Sequence, residues 1–102
     1  MAMRQIERQV HVYILASGRH GTLYTGVTSN LVKRIFEHRH DVVAGFTQHY
    51  GVHQLVWFEV HDNAESAIAR EKQIKRWNRA WKIALIARDN PRWSDRYDEI
   101  VG

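Results

Sequence analysis

Residues 23–38 read LYTGVTSNLVKRIFEH and change halfway from a strand-like pattern to a helical one. The run up to Val27 is rich in residues that favour β-strands. Ser29 and Asn30 are both good helix N-caps, and apolar residues recur at helical spacing after them. We therefore expect a strand that leads directly into a helix over residues 31–40.

The predicted helix has an apolar stripe and a polar rim. Arg34 and His38 are i,i+4 neighbours, and we place both on the rim. The apolar stripe comprises Leu31, Val32, Ile35 and Phe36.

A second strand-like run, residues 11–16, lies before this segment, and residues 17–21 between them have the composition of a turn. With residues 22–27 as the second strand, the two runs predict an antiparallel hairpin. A four-residue loop would place Tyr13 opposite Tyr24, with both rings on one face of the sheet. A shift by one residue would separate the rings, so the register decides whether they meet.

The rest of the chain predicts one more strand and two more helices. Residues 41–53 are mixed and contain glycine, which is typical of a loop, and residues 54–60 form the third strand. The second helix covers residues 62–77 and opens with the capping-box spacing of an aspartate and a glutamate at positions 62 and 65. The third covers residues 79–88 and ends before Pro91.

The tail carries Trp93, Tyr97 and Ile100 among charged residues, and we expect it to pack back onto the body. The order β-β-α-β-α-α predicts an α+β fold, in which helices flank a small three-stranded antiparallel sheet.

Length and composition narrow the class of protein. A chain of 102 residues with 44% hydrophobic residues predicts one globular domain over residues 1–102. We expect neither a membrane-spanning helix nor a secretory signal. The lack of cysteine excludes disulfides and thiolate zinc sites and favours the cytoplasm. A formal net charge of +4 favours a polyanionic partner, such as nucleic acid or an anionic membrane.

Glu71 interrupts the apolar stripe that we predict for the second helix. That stripe comprises Ala64, Ala67, Ile68 and Ile74. A carboxylate among apolar side chains is costly unless it is paired or binds a metal. A half-exposed Glu71 bonded to Lys75 is one interpretation, and on the helix alone we favour it. A Mg²⁺ ligand that faces a cleft is the other interpretation.

Basic residues also cluster on the predicted helices and indicate a phosphate track, although such a cluster is often only a solvated helix face. They are Lys33 on the first helix and Lys72, Lys75, Arg76, Arg79 and Lys82 on the later ones. His38 and His40 form a close pair, but two imidazoles without a third ligand do not make a zinc site.

The motifs on these elements resemble those of a known nuclease family. Residues 11–13, His-Val-Tyr, resemble the first half of the GIY-YIG signature, and residues 24–26, Tyr-Thr-Gly, resemble the second half. Arg34 follows the second tyrosine at the spacing found in that family, and His38 follows one turn later. The resemblance covers residues 10–93, and the joint pattern is far more specific than either triplet alone.

The later helices extend the resemblance. Glu71 matches the metal-binding glutamate of the family, and Asn90 matches a polar residue that orders the site by hydrogen bonds. Residues 67–82 and 90–93 resemble the small stand-alone bacterial branch, which is related to the nuclease domain of the excinuclease C subunit.

The resemblance implies hydrolysis of phosphodiester bonds in DNA with one Mg²⁺ or Mn²⁺ ion, with branched or damaged DNA as candidate substrates. Glu71 would hold the metal, and Arg34 would bind phosphate oxygens and neutralise charge in the transition state. Either Tyr13 or Tyr24 would orient or deprotonate the attacking water, and nearby cations would have to lower its pKa for that role. His38 would assist the tyrosine or contact phosphate.

Three positions depart from the family pattern. His11 replaces a glycine, Thr25 replaces the usual isoleucine, and Val27 stands where excinuclease members carry a lysine. These departures keep a second hypothesis open, a nucleic-acid-binding module on the same fold that does not cut. A protein-interaction domain, with the tail and the tryptophans as its interface, is a third hypothesis.

Overall fold

A computed structural model gives the fold and describes residues 9–42 and 45–102. One antiparallel sheet contains the strands β1 (Val10–Ala16), β2 (Leu23–Thr28) and β3 (Gln54–His61). The described helices are α1 (Leu31–Arg39), α2 (Phe46–Tyr50), α3 (Ala64–Arg76), α4 (Arg79–Asp89) and α5 (Tyr97–Val101). The predicted α+β class and the predicted order of the longer elements are confirmed.

β1 is the central strand, with β2 on one side and β3 on the other. Its side chains alternate between the two faces of the sheet, and both faces are covered. Val12 and Ile14 pack in a cluster with residues of α3 and α4. Tyr13 and Leu15 pack in a second cluster with residues of α1. This double burial explains why β1 is an almost continuous apolar run.

The hairpin register differs from the predicted one by two positions. Tyr13 pairs with Gly26, so the predicted pairing of Tyr13 with Tyr24 is wrong. The connection is longer than expected, because the amide of Ser17 donates to the carbonyl of Thr22 at 3.0 Å and closes a wider turn. A shift of two residues preserves the face, so the two tyrosines still lie on the same side of the sheet.

The predicted loop over residues 41–53 is wrong in its second half, where α2 forms. The helix lies between Gly45 and Gly51, which have φ values of 109° and 64°. Glycine tolerates positive φ, and the left-handed Gly51 ends the helix. Its five residues are too few to show a helical period in the sequence.

Asparagine side chains cap the three longer helices. Asn30 caps α1, which confirms one of the two predicted caps. Asn63 caps α3 and accepts a hydrogen bond from the amide of Ser66 at 2.8 Å. The predicted capping box that begins at Asp62 is therefore wrong by one residue. Asn78 caps α4 in the same manner.

The tail packs back onto the body as predicted. Trp93 is buried in the cluster beneath α3 and α4. Tyr97 and Ile100 pack against the cluster beneath α1, and the guanidinium of Arg39 lies 4.5 Å from the centre of the Tyr97 ring. No helix in the described residues combines the length and the apolar character that crossing a lipid bilayer requires.

Candidate active site

Four of the predicted site residues meet on the face of the sheet that α1 covers. The ring centres of Tyr13 and Tyr24 are 6.3 Å apart, and that of His38 lies 5.9 Å from Tyr13 and 5.5 Å from Tyr24. The hydroxyl oxygen of Tyr13 lies 3.1 Å from His38 Nε2, within hydrogen-bond distance. Arg34 also interacts with this hydroxyl. Strands β1 and β2 and helix α1 therefore bring together two phenols, an imidazole and a guanidinium.

Gly26 makes room for the Tyr13 ring. A Cβ atom built on Gly26 would lie 2.5 Å from both Cζ and the hydroxyl oxygen of Tyr13. No real Cβ contact is that short, so the ring occupies the space that a side chain would fill. Gly26 therefore permits a close approach, and the group that approaches is the tyrosine side chain of the neighbouring strand.

His38 lies inside the protein, and its predicted position on the helix rim is wrong. Its exposed fraction is 1%. The buried side of α1 is formed by Leu31, Ile35 and His38, whereas Val32 and Phe36 of the predicted stripe are 41% and 48% exposed. The helix is rotated relative to the prediction because the imidazole finds polar partners in the core.

Thr47 is the second partner of His38, and no sequence pattern marks it. Its Oγ1 lies 3.0 Å from His38 Nδ1, and both side chains are buried. Thr47 belongs to α2, which was predicted as loop, so only the tertiary structure places it at the site.

Burial governs the protonation of Tyr13. It raises the pKa of Tyr13 to about 12, with Arg34 acting in the opposite direction and the charges on Tyr24 and Glu71 adding to the rise. The expectation that nearby cations lower this pKa is not met, since burial outweighs the guanidinium. Tyr13 is therefore a neutral phenol at pH 7.

His38 is neutral as well. Burial lowers the pKa of His38 to about 4, and the positive charge of Arg34 acts in the same direction, as does His53, while Glu37 opposes them. A neutral imidazole carries one N–H and one free lone pair. His38 can therefore donate one hydrogen bond and accept another.

Folding stability is expected to fall as the pH is lowered from about 6.5 to about 4. Unfolded chains take up the His38 proton near pH 6.5, whereas the folded protein resists it until about pH 4. The unfolded state thus binds more protons in this window, and the loss amounts to roughly 3 kcal/mol. Urea unfolding at several pH values measures it.

The matched control for this prediction is His38→Gln, which removes the titrating group. Burial also lowers the pKa of His11. Because both proteins contain His11, its contribution to the pH dependence cancels when the two unfolding free energies are subtracted. If the unfolding free energies of the wild type and the variant change in parallel between pH 6.5 and 4, the prediction is contradicted.

A polar pocket of about 210 Å³ lies at the start of α1. It is lined by Thr28, Ser29, Asn30, Lys33, Arg34 and Glu37. Arg34 is half-buried, and one of its terminal nitrogens lies 3.4 Å from a Glu37 oxygen. Lys33 and Arg34 supply two positive charges to this pocket, which suits an anionic group such as phosphate.

Glu71 lies on α3, which packs on the face of the sheet opposite to Tyr13 and α1. Its side chain is 14% exposed, and Lys75 Nζ lies 2.9 Å from Oε2. The predicted ion pair with Lys75 is therefore present, but the carboxylate is more buried than the half-exposed interpretation required. Only Ala67 and Ile74 of the four predicted stripe residues are buried, so Glu71 lies at the edge of the stripe. Its charge acts on the pKa of Tyr13.

The described residues contain no cluster of three or more histidine, aspartate or glutamate side chains that could hold a metal ion. A site on Glu71 would thus have at most two such protein ligands. That donor set fits Mg²⁺ or Mn²⁺, because such ions bind through one or two carboxylates and keep several waters.

The structure does not bring Asn90 to this group. Its side-chain nitrogen donates to the carbonyls of Val56 at 3.0 Å and Ser94 at 2.9 Å, and its side-chain oxygen accepts from the amide of Ser94. These bonds tie the tail to β3, which β1 separates from β2. Val27 packs against the core cluster on the opposite face from Tyr13.

The remaining basic residues have three different surroundings. Lys72 and Arg76 are exposed and line an open groove with Trp77. Arg79 donates to the carbonyls of the β1–β2 turn, at 2.7 Å to that of Gly21, so it braces the hairpin. Lys82 is half-buried on α4. Lys72 and Arg76 are thus the best placed of these for contact with an extended polyanion.

The chain is similar to known proteins in sequence and in fold. Residues 9–84 match a family model described as the GIY-YIG catalytic domain. A UPF0213 protein of Clostridium perfringens (strain 13 / Type A) is 42% identical over 77 residues, which cover 76% of this chain and 82% of that protein. A UPF0213 protein of Syntrophus aciditrophicus (strain SB) is 40% identical over 82 residues, which cover 79% of this chain and 92% of that protein.

A solved structure shares the fold as well. The solution NMR structure of a UPF0213 protein from Bacillus halodurans superimposes with a TM-score of 0.54 and 28% identity, covering 85% of this chain and 92% of that one. The predicted resemblance to a small stand-alone branch is confirmed by these matches.

Proposed function

The chain belongs to the family of GIY-YIG catalytic domains, and from this membership and its site we propose that it is a metal-dependent endonuclease that hydrolyses phosphodiester bonds in DNA. The observation that carries the proposal is the 3.1 Å contact between the Tyr13 hydroxyl and His38 Nε2 beside Arg34. A substrate with a branched or damaged structure, a role in repair and a cytoplasmic setting belong to the same proposal.

Lys33 and Arg34 hold the phosphate. Arg34 lines their pocket and also interacts with the Tyr13 hydroxyl, and a guanidinium binds two phosphate oxygens at once. As negative charge builds on those oxygens in the transition state, a fixed guanidinium stabilises it. Lys72 and Arg76 extend the positive surface along α3, where they contact backbone phosphates farther from the cut.

Tyr13 orients the attacking water and takes up its proton. Its hydroxyl lies 3.1 Å from His38 Nε2, and its oxygen keeps a lone pair with which it can bind the water. Tyr24 places its ring against those of Tyr13 and His38. The contact with His38 supports Tyr13 as the base.

Glu71 would hold the Mg²⁺ or Mn²⁺ ion, which supplies a Lewis acid that neutralises charge on the phosphate and the leaving oxygen. Lys75 contacts Oε2 and is half-exposed, so it can move aside without disturbing the core. Until then its ammonium compensates the poorly solvated carboxylate.

Cleavage of a panel of duplex, single-stranded, forked and branched DNA in Mg²⁺ or Mn²⁺ tests the proposal. Glu71→Gln is expected to raise the half-saturating metal concentration by about 10- to 100-fold, because an amide oxygen is a weaker ligand than a carboxylate. Glu65→Gln, an exposed glutamate on the same helix, is the control and should leave metal dependence unchanged. The proposal would be contradicted if the folded wild type cleaves none of these DNAs, or if Glu71→Gln has unchanged metal dependence.

A non-catalytic DNA-binding module is the second candidate, favoured by Val27 at the position of the excinuclease lysine. It predicts salt-dependent binding by both the wild type and Glu71→Gln, with no turnover by either. Lys72→Ala with Arg76→Ala should weaken that binding at low salt.

A further inference from the structure

We propose that Thr47 is a positioning residue, whose hydroxyl accepts a hydrogen bond from His38 Nδ1 and so holds the imidazole with Nε2 facing the Tyr13 hydroxyl. The catalytic consequence rests on the proposed nuclease function, whereas the hydrogen bond does not.

The three side chains form one continuous chain of hydrogen bonds from three separate elements. Tyr13 comes from β1, His38 from α1 and Thr47 from α2. The two contacts measure 3.1 Å and 3.0 Å, and the exposed fractions of the three residues are 1%, 1% and 3%. Since so little of these side chains is exposed to solvent, the imidazole must find its hydrogen-bond partners in the two hydroxyls.

Tyr13 sets the donor-to-acceptor direction of these hydrogen bonds. It is a phenol that must donate its proton, and Arg34, which also interacts with the hydroxyl, carries only donors. His38 Nε2 therefore accepts from Tyr13. A neutral imidazole has a single N–H, so Nδ1 carries the proton and Thr47 Oγ1 accepts it.

The hydrolysis then proceeds as a two-step proton shift. The attacking water gives a proton to the Tyr13 oxygen while the phenolic proton moves to His38 Nε2. The water oxygen forms its bond to phosphorus, and the bond from phosphorus to the leaving oxygen breaks. The leaving oxygen takes a proton from solvent, and the imidazolium later returns its proton to solvent. Thr47 holds the ring throughout.

α2 is built to hold Thr47 in place. The backbone amide of Val52 donates to the Thr47 carbonyl at 2.9 Å, and the Val52 side chain is buried in the cluster that contains Tyr13. The left-handed Gly51 between them turns the chain back toward the sheet. A hydroxyl fixed by the core in this way can hold an imidazole within the tolerance that catalysis needs.

Thr47→Val and Thr47→Ser test the proposal, because valine keeps the shape and lacks the hydroxyl while serine restores it. NMR of the His38 ring nitrogens is expected to show a protonated, hydrogen-bonded Nδ1 in the wild type and in Thr47→Ser. In Thr47→Val the Nδ1 resonance should shift because this hydrogen bond is lost, with turnover lower by about 10- to 100-fold and KM little changed. Gln48→Ala, exposed on the same short helix, is the control.

The two readouts separate this proposal from the nuclease function. If the wild type cleaves no DNA, the ring nitrogens still decide whether Thr47 accepts a hydrogen bond from Nδ1. Unchanged ring-nitrogen shifts in Thr47→Val would overturn the proposal. So would a shifted Nδ1 resonance with undiminished turnover, or a serine variant that fails to restore the wild-type resonance.

Discussion

Tyr13→Phe is expected to lower the rate of DNA cleavage by about 10²- to 10⁴-fold, the usual range for loss of a proton-transfer group. The substitution removes only the hydroxyl, and the remaining ring still fills the space over Gly26. His38 Nε2 loses its partner, so stability falls by about 1 to 3 kcal/mol, and the protein remains folded. Single-turnover cleavage at saturating metal measures the chemical step.

Two companion variants sharpen this test. Tyr97→Phe removes a phenol from the tail, whose ring lies beneath Arg39 and outside the site, and it should cleave at the wild-type rate. Tyr24→Phe should lose less activity than Tyr13→Phe, because His38 bonds the hydroxyl of Tyr13. If Tyr24→Phe is the slower of the two, the base has been assigned to the wrong tyrosine.

Gly26→Ala is expected to impair both folding and catalysis. A methyl group at this position would meet the Tyr13 ring and hydroxyl at 2.5 Å. The ring belongs to the core and has no free volume to enter, so overpacking should cost about 1 to 3 kcal/mol. For a domain of this size, that lowers the melting temperature by roughly 4–8 °C per kcal/mol. Displacement of the hydroxyl from His38 should slow cleavage as well.

Gly18→Ala is the matched control, because nothing lies within 4 Å of a Cβ atom there. The cause is tested further by adding Tyr13→Ala to Gly26→Ala. With the ring gone, the second substitution should cost little, so the two changes should be strongly non-additive. Equal melting temperatures for Gly26→Ala and Gly18→Ala would show that the close approach of the ring to Gly26 does not affect folding stability.

The parts of this fold that local sequence encodes were predictable. β1 and β2 are runs of strand-forming residues, and Asn30 marks the start of α1. The hairpin register was not encoded, because the loop closes through contacts of Ser17 and Thr22 that composition does not reveal. The tyrosines still share a face, since an error of two positions leaves side-chain direction unchanged.

The site was predictable from motif spacing but not in its internal contacts. Tyr13, Tyr24 and Arg34 meet as the resemblance implied. The burial of His38 depends on Thr47, a residue of a helix too short to leave a period in the sequence. Asn90 was placed in the site by resemblance alone, whereas its amide is engaged by the backbone of distant residues. Contacts of this kind exist only after the chain has folded.

The central position of β1 has a consequence for how the active site is assembled. Its pairing with β2 closes only the short turn after Ala16, whereas its pairing with β3 must wait for the chain up to residue 61. Local pairings form early, and long loops slow folding. The hairpin that carries both tyrosines can thus form while the rest of the chain is still disordered. The slowest step is then the arrival of β3, a strand with none of the proposed catalytic groups, so substitutions in β3 should change the folding rate and leave the chemistry untouched.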